Sequence, residues 1–173
     1  MPIRVMDFQS LYEKYAPAVR RFALFLCGDP AMADDITSDT FVRVWLARGR
    51  IRELTVKSYL FAIARNAYRD LRRRDWRKAP LDEKEPDTKI SAHTRLEQKE
   101  EVTAVLAALQ ELPEVDRAIL LMRALDDMPY EEIAAALDVT VNAARVKVHR
   151  ARAMLMEARN PAAEKLNTSG EAI

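Results

Sequence analysis

The chain has 173 residues, 28 Lys and Arg against 27 Asp and Glu, a formal net charge of +1, 49% apolar residues and one cysteine. Such a length supports one medium domain or two small ones around a packed core, and a lone thiol excludes an internal disulfide and a cysteine-based zinc site. With only three glycines, much Ala, Leu, Arg and Glu, and no convincing alternating β-branched run, the composition argues for a mainly helical protein and against a sheet.

In chain order, residues 1–10 carry Arg4 and Asp7 and no apolar stretch, so no secretory signal is expected. Residues 7–26 then read as a helix with Phe8, Leu11, Tyr12, Tyr15, Val19 and Phe22 on one side, ended by "CGDP". Residues 31–47 read as a second helix: Thr37, Phe41, Val44 and Trp45 share an inward face, while Asp35, Ile36, Asp39 and Arg43 share an outward one. An exposed Ile among charges fits a protein contact, and a plain solvated acidic face is the alternative. Residues 55–76 form a third helical pattern with Leu60, Ala64, Ala67, Tyr68 and Leu71 inward and Arg65, Arg69, Arg72 and Trp76 outward. Asn66 is the least helix-favouring residue there, and the pattern is expected to break near it.

Residues 79–93, "APLDEKEPDTKISAH", have two prolines, many charges and no apolar periodicity, the composition of a flexible linker. A second unit follows over 94–158. Leu96, Val102, Val105, Leu106 and Leu109 mark a helix, and Pro113 suits the start of the next, where a missing N–H costs nothing. Residues 130–137 form a short helix with Ile133, Ala134 and Leu137 inward; "DVT" turns, Thr140 can cap, and Val141, Ala144, Val148, Ala151 and Leu155 give the inward face of a longer helix. Two helices on a three- to four-residue turn, with small residues where they cross, make a helix-turn-helix. Residues 159–173 read as a disordered tail. No apolar run approaches the ~18 residues of a membrane span, so a soluble, cytoplasmic chain with no membrane insertion is expected.

The near-zero net charge conceals a division. Residues 43–78 hold twelve bases and three acids, residues 114–138 two bases and seven acids, and residues 141–159 five bases and one acid. Two basic blocks therefore offer polyanion surfaces. On the last helix Asn142, Val146, His149 and Arg150 face outward with Arg145, Lys147 and Arg152 on the flanks: Asn, His and Arg reach base edges in a major groove, and flanking cations suit phosphates. A basic solvated helix without a ligand is the bland alternative. Catalysis has few candidates. The acids at Asp34, Asp35 and Asp39 miss the spacing of a magnesium-binding DDxxD motif by one place, no nucleophile–base set or glycine-rich phosphate loop occurs, and the two histidines are His93 and His149. No cofactor is called for.

"DDITSDTFVRVW", "SYLFAIARNAYRDLRRR" and "LPEVDRAILLMRALDDMPYEEIAAALDVTVNAARVKVHRARAML", in this order, resemble the sigma-70 family, and the two units with a short linker resemble its extracytoplasmic-function (ECF) group. The resemblance implies an all-α chain of two small helical domains, a region 2 bundle over 5–78 and a region 4 helix-turn-helix over 94–158. It implies a promoter-specificity subunit of RNA polymerase, not an enzyme by itself. The surface of Asp35, Ile36, Asp39 and Arg43 would dock on the clamp helices of the β′ subunit, and the second unit on the flap of the β subunit. Asn66, Ala67 and Tyr68 match a loop that holds an extruded base of the −10 element. Tyr59, Tyr68 and Trp76 would stack or brace there, and Arg65, Arg69, Arg72 and Arg73 would hold the single strand. The helix opened by Thr140, with Asn142, Arg145, Lys147, His149, Arg150 and Arg152, would enter duplex at the −35 element. Control by an anti-sigma factor is a further implication. Ser38 stands where the polymerase-docking motif usually has Gln, and "NAA" at 142–144 replaces the usual start of the recognition helix. The competing reading is a duplex-binding regulator that uses only the second unit.

Overall fold

A computed structural model describes residues 8–47, 55–78 and 96–159. Among these residues all regular structure is helical: α1 (Phe8–Cys27), α2 (Pro30–Leu46), α3 (Val56–Lys78), α4 (Leu96–Gln110), α5 (Glu114–Asp126), α6 (Tyr130–Leu137) and α7 (Val141–Arg159). The expected linker at 79–93 and the tail from residue 160 lie outside the described residues. No described helix is long and apolar enough to cross a membrane.

The breaks follow from local chemistry. Gly28 adopts φ +74°, a left-handed conformation that costs glycine little. Asp29 caps α2 by accepting from the Ala31 N–H at 2.9 Å, and Pro30 occupies the first turn, where no N–H is needed. Asp127 and Asp138 end α5 and α6 in left-handed geometry, tolerated by short polar side chains. Cys27 lies beside the first of these turns, and its thiol donates to the Asp29 carbonyl at 3.2 Å. Burial pushes this thiol up from 9.0 to about 11. Alkylation at pH 8 is expected to run about a hundredfold slower in the folded chain than in the unfolded one, because only the thiolate reacts. A thiol with a raised folded pKa contributes stability that is lost as pH climbs from 9 towards 11.

Helices α1, α2 and α3 enclose Val19, Phe22, Leu26, Ile36, Leu60 and Phe61, all at most 1% exposed. Phe22 and Phe61 stack with centroids 4.6 Å apart. Around α5, α6 and α7 lie Ile119, Met122, Ile133, Ala144 and Val148, and both groups belong to one continuous core. The two units therefore meet. Arg65 on α3 forms a two-pronged pair with Glu114 on α5 (2.6 and 2.8 Å), and Lys57 and Arg21 approach Asp126 at 2.7 and 3.4 Å. Thr55 donates to Glu132 at 2.9 Å. In each of these ion pairs the base belongs to the first unit and the acid to the second, so the acidic block at 114–138 lies against the basic block before it.

Four expectations are corrected. Helix α3 continues through Asn66 without a break, because Ala64, Ala67 and Tyr68 on either side are buried and hold the helix in phase. Ile36 is fully buried, not exposed, while Trp45, expected inside, is 46% exposed and packs edge-on against Phe8 at 5.0 Å. Thr37 is buried as expected and Thr40 is buried beside it, their hydroxyls donating to the Ala33 and Ile36 carbonyls. Val102 and Val105 on α4 are exposed, and burial begins towards Leu109.

Candidate nucleic-acid interface

The helix-turn-helix is built as its sequence implies. Asp138, at φ 54° and ψ 50°, sends its N–H back to the Ala134 carbonyl, and Val139 does the same at 3.1 Å. Thr140 then caps α7: its hydroxyl oxygen accepts from the Ala143 N–H at 3.1 Å and its carbonyl from Ala144 at 3.0 Å. Thr140→Ala is expected to lower stability by about 1 kcal/mol, seen as a lower urea midpoint with an unchanged slope.

Ala144, Val148 and Ala151 bury the inner face of α7. Its outer face exposes Asn142, Arg145, Val146, His149, Arg150 and Arg152, with Lys147 half-buried at the edge. Two acids and a ring organise this face. Asp116, on the first turn of α5 with its side chain 1% exposed, accepts from Lys147 Nζ at 3.0 Å and from Arg150 through Nε at 2.8 Å and Nη2. Arg145 lies over the Tyr130 ring at 5.6 Å and reaches Glu131 at 3.9 Å. All seven residues expected on this surface thus lie outside the buried stripe of α7.

The −10 candidates divide. Asn66, Arg69, Arg72, Arg73 and Trp76 are exposed, Trp76 at 86%. Arg65 and Tyr68 are not: Arg65 is 8% exposed and bound to Glu114, and Tyr68 is 6% exposed and accepts from Arg117 Nη2 at 3.2 Å. In this arrangement both are joined to the second unit. Tyr59 is half-buried, and burial raises its pKa.

On α2, Asp35 is exposed and Asp39 half-buried, and Arg43 bridges Asp39 at 2.9 Å and Asp70 of α3 at 2.8 Å. Burial lowers the Arg43 pKa and its two carboxylates more than offset that, so it stands above the usual value. With Ile36 inside, the surface expected to dock on polymerase keeps Asp35, Asp39 and Arg43. Glu114, Asp116, Arg117 and Asp126 were not singled out from sequence; their partners lie on other elements, and the acidic bias of residues 114–138 signalled the three carboxylates but not Arg117. No group of three metal-ligating side chains converges among the described residues.

The described residues present two exposed basic helix faces, one of them on a helix-turn-helix, and sequence comparison assigns the two parts of the chain. The family model for Sigma-70 region 2 matches residues 11–78, and that for Sigma-70, region 4 matches residues 103–155. The RNA polymerase sigma factor CarQ of Myxococcus xanthus is 30% identical over 152 residues, covering 87% of each chain. The ECF RNA polymerase sigma factor SigE of Mycolicibacterium smegmatis is 29% identical over 162 residues, 87% of this chain and 61% of that one, so this chain spans about three-fifths of that relative's length. The fold matches the sigma factor RpoE in a co-crystal structure with the anti-sigma factor NepR from Bartonella quintana, with a TM-score of 0.74, 23% identity, and coverage of 90% of this chain and 98% of that one. The chain belongs to the sigma-70 family and, within it, to the ECF sigma factors.

Proposed function

We propose that this chain binds core RNA polymerase, reads −35 and −10 promoter elements and helps open the DNA. The observation that carries this reading is the presence of two separate exposed basic helix faces of different character. That of α7 sits on a capped helix-turn-helix, which suits duplex. That of α3 carries Asn66, a run of arginines and the exposed Trp76, which suits single strand: an amide for a base edge, an aromatic for stacking and cations for phosphates. A regulator that binds duplex alone has no use for the second face.

Asp35, Asp39 and Arg43 form the proposed core-enzyme surface on the clamp helices of the β′ subunit, and the second unit would take the flap of the β subunit. Use of Arg65 and Tyr68 on DNA requires the two units to separate, because both are tied to the second unit here. Control by an anti-sigma factor is part of the proposal, supported by the co-crystal of a fold relative with one.

The test is a pull-down with purified core polymerase followed by transcription from promoters mapped in the host after overproduction. Retention on core and new start sites are expected; failure to bind core ends the reading. Asn66→Ala is expected to slow promoter opening about tenfold, on the scale of one lost base-edge contact, with little change in closed-complex affinity, as read by permanganate footprinting.

A further inference from the structure

We infer that Asp116 is a positioning residue for α7, holding Arg150 as an outward-facing fork for a guanine in the major groove and holding Lys147 back from the phosphates. The inference rests on the proposed reading of α7 as a duplex-reading helix.

Asp116 carries a nearly fully buried carboxylate, with both oxygens directed at α7. Oδ1 takes Lys147 Nζ at 3.0 Å, and Oδ2 takes Arg150 through Nε at 2.8 Å and through Nη2. A strut between α5 and α7 does not need this group. The two helices already share a core containing Ile119, Met122, Ala144, Val148 and Ala151, and an apolar residue in place of a buried ion pair is often neutral or stabilising. What the carboxylate adds is orientation. Its own side chain is 1% exposed while that of Arg150 is 52% exposed, so the guanidinium is anchored inside along one edge and presented to solvent along the other. Guanidinium geometry is rigid and planar, so fixing Nε and Nη2 fixes the direction of the remaining N–H groups. A pre-ordered fork loses less freedom on binding, and with Nε and one Nη2 hydrogen held by Asp116 the free end of the fork, Nη1 and Nη2, remains for a two-pronged contact with O6 and N7 of guanine, the commonest specific contact in a major groove. Arg145 makes a contrast: held only by a ring face and a 3.9 Å ion pair, with its side chain 59% exposed, it is suited to adaptable phosphate contact.

The carboxylate also acts on Lys147. With its charge paired and its side chain 27% exposed, Lys147 contributes little to indiscriminate phosphate binding. Asp116 thereby strengthens binding to the right sequence relative to any other.

These two effects predict changes of opposite sign. The probe is the tightest duplex selected from a randomised library by the full-length chain on core polymerase, compared with a random duplex over a range of salt. Asp116→Asn keeps the shape and removes the charge. It is expected to reduce discrimination against substitution of one guanine about tenfold, while binding to random duplex strengthens and its log–log salt slope steepens by about one, as Lys147 reaches a phosphate. Arg150→Lys keeps the charge and Asp116 but not the fork, and is expected to lose the same discrimination with no change in slope. A simple strut predicts that Asp116→Asn weakens both duplexes together; that result, or unaltered discrimination in Arg150→Lys, overturns the inference. If the unaltered chain selects no sequence, the reading of α7 itself is what fails.

Discussion

Replacing Arg117 with alanine is expected to lower the unfolding free energy by about 2–3 kcal/mol, a large loss for one polar side chain. Arg117 is 4% exposed, and its Nη1 donates to the carbonyls of Leu109 at 3.2 Å, Gln110 at 3.2 Å and Leu112 at 3.4 Å. These belong to the end of α4 and the turn after it, where a helix leaves its last carbonyls without partners. Nη2 reaches across to the Tyr68 hydroxyl at 3.2 Å, with the guanidinium carbon 5.9 Å from the ring centroid. One side chain therefore closes α4 and ties α5 to α3. Alanine would remove this donor from the Gln110 and Leu112 carbonyls, the latter on a residue 4% exposed, while the Leu109 carbonyl would keep the Leu112 N–H at 3.1 Å. Urea unfolding of the full chain measures the loss. Arg117→Lys, which keeps a charge but cannot fork over three carbonyls, should fall between the two. A loss below about 1 kcal/mol for alanine would mean that the carbonyls find other donors.

Removing Arg69, Arg72 and Arg73 together is expected to leave the fold intact and to weaken single-strand binding strongly. All three are exposed, and the ion pair of Arg73 with Asp70 is long, at 3.7 Å, so unfolding should change by no more than about 0.5 kcal/mol per site. If each arginine neutralises a phosphate, the triple alanine variant should flatten the log–log salt dependence of oligonucleotide binding by about two, at ~0.7 per contact on single strands. Trp76→Ala should behave differently, losing about 1–3 kcal/mol of binding from lost stacking with an unaltered slope. Fluorescence anisotropy with a labelled oligonucleotide separates the two. A triple variant that keeps the original slope would remove α3 from the DNA path.

Much of this molecule is written in local pattern. The helices lie where apolar spacing and the breakers Gly28, Pro30, Pro113 and Pro129 put them, and the outer face of α7 is the one its periodicity specifies, because both depend on neighbours within a few positions. The failures come from elsewhere. Asn66 costs a helix only a few tenths of a kcal/mol relative to its better formers, which the buried residues around it override. Ile36 was placed outside because acids flank its face, yet Thr40, whose hydroxyl is satisfied by the Ile36 carbonyl, widens the buried stripe already marked by Thr37, and Ile36 falls within it. Arg65 was placed on the outer face of α3 by helical phase, whereas it is 8% exposed against Glu114, 49 positions away. Pairings at that range leave no periodic trace, and the same is true of Asp116 with Lys147 and Arg150.

The outer end of α3 has a consequence for how this protein can change over generations. From Arg72 to Lys78 every residue is exposed, and the basic residues Arg77 and Lys78 occupy the last turn, where the helix dipole favours positive charge. The fold thus accepts a dense run of cations at a point where they cost it little and support none of its core. Substitutions there are free of the packing constraints that hold Phe22, Phe61 and Ile36 in place. Selection can retune that tip for a different strand while the body of the protein stays the same.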